Sequence, residues 1–323
     1  MILAGIDEAG YGPLLGPLVV GCCAFEVDAD PASELPCLWK RLRKLVGKTR
    51  SKTGKRIHIN DSKLVYQPGP NGLKELERGI LTLASAWGDS CDCLETLLSR
   101  VASHVLEDLP GYNWYTRFDG EAFPSEVDGA SIGAFANALK IEMQKNSAHC
   151  VHLAARIVLE RQLNRLIKAT RNKSSVLFST GAMHLDYLLR TFGQRGLVIF
   201  CDQLGGREHY GQLLRTMFED WSLEILAEGD GRSEYRLLRG EHVVRIIWCE
   251  KAEAQCLPVA AASMLSKYLR EMLMRRFNAF WKTHLPEVTP TAGYYNDGAR
   301  FLRDIKTKRK ELGIRDEELV RSR

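Results

Sequence analysis

The chain begins with an apolar run that ends in two acids and a glycine turn: Ile2-Leu3-Ala4-Gly5-Ile6-Asp7-Glu8-Ala9-Gly10-Tyr11-Gly12-Pro13. Acids at the end of a buried strand are costly unless a partner compensates them. A divalent cation is the usual partner of clustered carboxylates. A second apolar run, Gly16 to Phe25, follows at once. The carboxylates are therefore expected at the edge of a sheet, beside a turn whose glycines let the backbone approach a ligand. Gly10-x-Gly12 after a strand also fits part of a dinucleotide fingerprint. That fingerprint needs a helix to open directly after the glycines, so that its N-terminus meets the phosphates. Pro13, Pro17 and a β-branched run stand there instead, which makes the next element a strand and the dinucleotide reading weak.

A chain of 323 residues is long enough for one large domain or two modest ones. The apolar stretch Leu14 to Phe25 is too short to span a bilayer and is interrupted by Gly16, Pro17 and Gly21. The acidic N-terminal segment does not read as a signal peptide. Nine cysteines without a CxxC pair fit buried reduced thiols, hence a cytoplasmic protein with no membrane partner. The net charge is +5, but nine basic residues between Lys40 and Arg56 are uninterrupted by any acid, and Lys306, Lys308, Arg309 and Lys310 form a second run. Such runs serve equally as solvated segments or as a surface for a polyanion such as nucleic acid.

Hydrophobic periodicity predicts strands over 2–7 and 17–27, a basic helix and loop over 37–60, and a helix over 70–88. Residues 90–148 read as a mostly helical insertion or lid without recognisable chemistry. A strand over 149–159 and helices over 160–194 follow. Gly196 to Asp202 repeats the opening design, an apolar run ending in an acid. Residues 222–250 read as a three-strand meander, leading into Lys251-Ala252-Glu253 and then an alanine-rich helix. Asp7 with Glu8, Asp202 and Glu253 thus mark three strand ends. Each alone is an ordinary polar end; together they favour a hard-metal site. Two Mg²⁺ ions in such a site clamp the attacking and leaving oxygens of a displacement at phosphorus.

The ordered set of motifs resembles the type 2 ribonucleases H, the family of bacterial ribonucleases HII and HIII. Asp7-Glu8-Ala9-Gly10-Tyr11-Gly12-Pro13 with Leu15-Gly16-Pro17 is similar to the family's first signature, and Asp61-Ser62-Lys63-Leu64 to its Asp-Ser-Lys motif. Asp202 matches the central aspartate. Glu253, followed by Ala260-Ala261-Ala262-Ser263-Met264-Leu265-Ser266-Lys267, looks like the fourth acid and its helix, and Gly293-Tyr294 like a late Gly-Tyr pair. The resemblance covers residues 1 to about 300 but not 90–148. It implies an α/β ribonuclease H-like fold, a five-stranded mixed sheet flanked by helices, over residues 1–300, with 301–323 a basic C-terminal tail or helix.

The same resemblance implies Mg²⁺- or Mn²⁺-dependent hydrolysis of the RNA strand of RNA–DNA hybrids by a monomer. Asp7, Glu8, Asp202 and Glu253 would hold the metals, and a metal-bound water would leave a 3′-hydroxyl and a 5′-phosphate. Gly10, Tyr11, Gly12, Ser62, Lys63, Ser263, Lys267 and Tyr294 would contact substrate. Two residues depart from the HII pattern: Tyr11 replaces the usual Arg between the glycines, and Glu253 replaces the usual Asp. The rivals are a junction resolvase-like nuclease on the same fold and a nucleic-acid-binding protein without catalysis. Neighbouring residues of a strand face opposite sides of the sheet, so Asp7 and Glu8 are expected to share a site only where the strand breaks.

Overall fold

The structure, a computed structural model, describes residues 1–31, 33–116 and 120–322. Its strands are β1 (Ile2–Ala9), β2 (Leu18–Val27), β3 (Val46–Gly47), β4 (Ile57–His58), β5 (Ala148–Val158), β6 (Leu197–Asp202), β7 (Ser222–Ala227), β8 (Arg232–Arg239) and β9 (His242–Cys249). The main sheet has the order β5-β2-β1-β6-β9-β8-β7, and β3 and β4 form a separate parallel pair. β1 is antiparallel to β2 and parallel to β6; β6 is parallel to β9, and β8 antiparallel to both its neighbours. The α/β class and mixed sheet expected from the sequence are present. The strand count is seven rather than five, because the meander after β6 adds β8 and β7 to the edge beyond β9.

β1 and β2 read as unbroken apolar runs because both faces are covered. On one face, Leu3, Val19, Cys23 and Phe25 join a core shared with the helices Lys74–Trp87, Gly129–Lys145 and the long helix Leu257–His284. On the other, Ile2, Ile6, Val20 and Cys22 pack with Val176, Leu185 and Leu188 of the helix Lys173–Phe192. The long helix lies unusually close to the sheet. A Cβ on Gly5 would sit 2.1 Å from the backbone nitrogen of Val259, and one on Gly21 2.4 Å from the carbonyl oxygen of Ala262. Glycine in the strands and alanine at 260–262 in the helix are what allow that contact.

Residues 90–148 pack into this same core. Leu94, Leu97, Leu98, Trp114 and Tyr115 are buried with the residues of the long helix. The carboxylate of Glu77, fully buried, accepts from the backbone N–H groups of Ser125, Glu126 and Val127, from the Ser125 hydroxyl, and from Tyr268. Five donors compensate the buried charge and tie the segment to two helices. Helical turns at Lys306–Glu311 and Asp316–Leu319 carry the last residues back over the body of the protein. No helix among the described residues is long and apolar enough to cross a membrane.

Candidate active site

β1 pairs with β2 as far as Ala9, opposite Val19, whereas its pairing with β6 stops at Ile6 and Cys201. The strand therefore does not break between Asp7 and Glu8. The sheet parts between β1 and β6 instead, so that residues from either face of β1 reach one cleft. Asp202 closes the other side as the last residue of β6. Asp7 Oδ1 accepts the Glu8 N–H at 2.7 Å, and the Asp7 carbonyl accepts the Ser266 hydroxyl at 3.1 Å. Asp202 Oδ1 accepts the N–H of Ala252 at 3.2 Å, which fixes the turn that presents Glu253. That fourth acid is on a short helix, Ala252–Gln255, rather than at the end of a strand. The chain reaches it through Lys251 at φ +53°, a left-handed conformation uncommon for a residue with a side chain.

The four carboxylates act on one another. Burial, then Glu8 and Asp202, hold Asp7 well above the ordinary carboxylate range. Burial, then the charge of Asp202, raise Glu8 to about 7. Glu253 is likewise raised to about 7, by burial first and Asp202 after it. Burial also raises Asp202. Glu8 Oε2 and Glu253 Oε2 are buried without a hydrogen-bond partner among the described residues. Uncompensated oxygens on mutually repelling acids are the donor set that a hard divalent cation satisfies, so these residues fit Mg²⁺ or Mn²⁺.

Lys63 is a cation whose charge acts on this cluster. Burial depresses its ammonium, but Asp61, Asp7, Glu253 and Asp202 together raise it above its ordinary value. Its position comes from Asp61, which caps the helical turn Ser62–Val65 by accepting the Lys63 N–H at 2.9 Å. The Ser263 hydroxyl lies between Asp7 and Ser62; it lowers Asp7 slightly and donates to Ser62 Oγ at 3.0 Å. Ser62, Lys63 and Ser263 are thus brought to the acids. Lys267 points elsewhere, pairing with Glu271 at 2.7 Å and lying 4.3 Å from the centre of the Tyr66 ring.

The glycine turn borders the cleft. Gly10 is at φ +86°, and a Cβ there would lie 2.6 Å from the Pro17 carbonyl oxygen. Gly12 is exposed, with nothing within 4 Å of where a Cβ would stand. Tyr11 lies between them, its ring 5.1 Å from the Lys173 ammonium. Tyr294 is half exposed and faces the Arg270 guanidinium at 5.7 Å. The preceding Gly293 carbonyl accepts from Leu14 and Leu15 N–H groups, which places Tyr294 beside the turn rather than among the acids.

Two arginines escaped sequence reading. Arg270, on the long helix, donates to the carbonyls of Leu15 and Ala292 at 3.3 and 2.9 Å. Arg321 donates to those of Gly10, Gly16 and Tyr11. Both are almost fully buried and hold the turn from beneath. Arg270 had a signal, a charge within an otherwise apolar helical stripe. Arg321 had none. Lys48 of the basic run also has a fixed place: its ammonium donates to the Ala254 carbonyl at 2.6 Å and lies over the Trp39 ring, bracing the turn that bears Glu253.

No protein-family profile matches the chain. It is 28% identical over 126 residues, 39% of its length, to a ribonuclease HII of Chlamydia abortus. It is 57% identical over 35 residues to a ribonuclease HII of Methanocaldococcus jannaschii. The matched region spans 50% of the Chlamydia protein and 14% of the Methanocaldococcus protein. Among solved structures it aligns with the ribonuclease HII of the PCNA complex from Archaeoglobus fulgidus at TM-score 0.44 and 16% identity, covering all of this chain and 95% of that one. Alignment with ribonuclease H2 from Pyrococcus horikoshii gives TM-score 0.42 at 14% identity, over 99% and 92% of the two chains. The Mn²⁺ complex of Bst ribonuclease HIII aligns at TM-score 0.41 and 14% identity, over 99% and 66%.

Proposed function

We propose that this chain, a divergent relative of the type 2 ribonucleases H, is a metal-dependent endoribonuclease that cleaves the RNA strand of RNA–DNA hybrids, acting as a cytoplasmic monomer. The observation that carries the reading is the gathering of four acids where β1 and β6 part, two of them raised to about 7 and two with an oxygen that no group among the described residues satisfies. Asp7, Glu8, Asp202 and Glu253 would hold Mg²⁺ or Mn²⁺, which when bound supplies an activated water and neutralises charge developing at phosphorus, giving 3′-hydroxyl and 5′-phosphate ends. Lys63, drawn toward the same acids, offers a charge to a phosphate next to the scissile one. Gly10 and Gly12 offer backbone groups at the lip of the cleft, where the 2′-hydroxyl that separates RNA from DNA is read. Ser62 and Ser263 order the Lys63 turn against Asp7, and Tyr294 offers a half-exposed ring to a sugar. A binding protein without catalysis has no use for four mutually repelling acids, two of them buried, which disfavours that rival.

Tyr11 shapes the specificity. Arginine offers phosphate a rigid fork of donors; tyrosine offers one hydroxyl and a ring. The chain is therefore expected to cut runs of ribonucleotides well and a single ribonucleotide embedded in DNA poorly. Two labelled duplexes, one of each kind, test function and specificity together with Mg²⁺ and with Mn²⁺. No cleavage of either duplex with either metal would overturn the nuclease reading. Equal rates on both would show that Tyr11 does not set the preference.

A further inference from the structure

On the opposite face of the sheet from Ser263, three side chains converge. Cys22 lies on β2, His152 on β5 and His184 on the helix Lys173–Phe192. One potential ligand atom from each lies within 4.8 Å of the other two, and all three residues are buried. The strand register explains how they meet. Cys22 pairs with Ala154 and Ala24 with His152, so Cys22 and His152 are diagonal neighbours across the β2–β5 ladder. The two alanines between them leave room above the sheet, and His184 descends into it from the helix.

The polar atoms of this group are incompletely used. His184 Nε2 lies 3.0 Å from the Val20 carbonyl, so it carries the proton, and Nδ1 is left with its lone pair. Metal-bound histidines are oriented in this way, by donating the second ring nitrogen to a carbonyl. His152 Nε2 is buried with no hydrogen-bond partner, although the ring is stacked on Tyr187 at 4.3 Å. Burial holds His152 down to about 4 and His184 down to about 3, so both imidazoles are neutral at physiological pH and able to coordinate. A buried nitrogen without a partner is destabilising, and nothing among the described residues satisfies this one.

We propose that Cys22, His152 and His184 form a zinc-binding site, separate from the carboxylate cluster, that cross-links the edge strand β5, its neighbour β2 and the covering helix. Two imidazoles and a thiol are donors for a borderline or soft ion; Mg²⁺ and Ca²⁺ require oxygen. Binding removes the Cys22 proton to solvent and leaves a thiolate on the metal. Zinc–nitrogen and zinc–sulfur bonds of about 2.0–2.3 Å draw the three atoms closer by small side-chain rotations. Three protein ligands leave a fourth position for water or another small ligand.

Cobalt(II), which replaces zinc in such sites and absorbs, reads the proposal directly. Metal-free protein titrated with Co²⁺ should develop a thiolate-to-cobalt band in the near ultraviolet at one equivalent, and Zn²⁺ should bleach it. The acids cannot produce that band, so the result is independent of nuclease activity. Zn²⁺ should also raise the melting temperature of protein whose carboxylate cluster is already saturated with Mg²⁺. Cys22→Ala should abolish the band, and His152→Asn should weaken Zn²⁺ binding about ten-fold or more. Absence of the band in the native chain overturns the site. So does an undiminished band in Cys22→Ala, or, should that variant fail to fold, undiminished Zn²⁺ affinity in His152→Asn.

Discussion

Asp7 and Glu8 show how far one pair of side chains can be read before a structure is known. Their position after an apolar run marks them as buried acids, and that reading needs only the cost of burying a charge. How they share a site was not legible, because it depends on where β6 ends opposite β1, which local sequence does not encode. The electrostatics can be tested. Glu8 and Glu253 are raised to about 7 in the folded protein, against about 4.3 for a glutamate in an unfolded chain. Between these values the folded state binds more protons than the unfolded, so the stabilising contribution is full below about pH 4.3 and is lost as pH rises through 7. Melting temperatures in EDTA should show this component declining from pH 5 to pH 8, and saturating Mg²⁺ should flatten it. A pH dependence indifferent to Mg²⁺ would place the cation elsewhere. Asp7→Asn and Asp202→Asn should each lower hybrid cleavage at least about a hundred-fold, since an amide keeps the shape but not the charge that holds the metal. In EDTA at pH 8 both variants should melt above the native chain, because each removes one of the repelling charges. A lower melting temperature with activity retained would refute both arguments.

The strands and long helices were the legible elements, and the segments joining them were not. β1, β2 and β6 announce themselves as apolar runs because neighbours cover both their faces, and the edge strand β5 by its alternation. The meander β7 to β9 was marked by its glycine turns. The basic run from Lys40 to Arg56 reads as one patch in sequence, yet its members are used differently. Arg41 donates to the carbonyls of Asp28 and Asn146, Arg50 pairs with Glu75, and Lys48 is bound to Ala254, while Lys44, Lys52 and Lys55 are exposed. Replacing those three by alanine should flatten the salt dependence of hybrid binding, by a log–log slope of about 0.7–0.9 per lost phosphate contact, with little change in the rate at saturation. Lys48→Ala should do the reverse, lowering the saturated rate by loosening the turn that carries Glu253. Identical behaviour of the two variants would show that the run acts as one surface. At the seat of the long helix, Gly21→Ala should cost about 1–3 kcal/mol by overpacking, measured by urea unfolding. A neutral result would mean that the helix can back away from the sheet.

Across the whole molecule, the sequence marked the four acids that meet where β1 and β6 part, but not what holds the glycine turn beside them. That role falls to a residue more than 300 positions from the turn. Arg321 is almost fully buried; it donates to the carbonyls of Gly10, Tyr11 and Gly16, and its own N–H reaches the Leu14 carbonyl. Asn164 secures the same segment by donating to the carbonyls of Glu317 and Val320 and accepting the Ser322 N–H. Nothing local marks such a residue, because a basic C-terminal stretch reads as solvated and its partners are backbone carbonyls, which leave no trace in sequence. Burial lowers its guanidinium to about 10, so it remains charged at neutral pH, and its fork reaches carbonyls that would otherwise lack a donor. Hydrogen bonds from a charged group contribute about 1.5–3 kcal/mol each, so Arg321→Ala should lower stability by about 2–4 kcal/mol after relaxation. Arg321→Lys should recover little, since one ammonium cannot span the fork. The functional consequence separates bracing from mere stability. A loosened glycine turn should raise KM for hybrid and erode the proposed preference for RNA over DNA, while the metal dependence proposed for Asp7 and Asp202 stays unchanged. If Arg321→Lys matches the native chain in melting temperature and in KM, the turn is held by Arg270 and Gly293 alone and the C-terminal residues are only a covering layer.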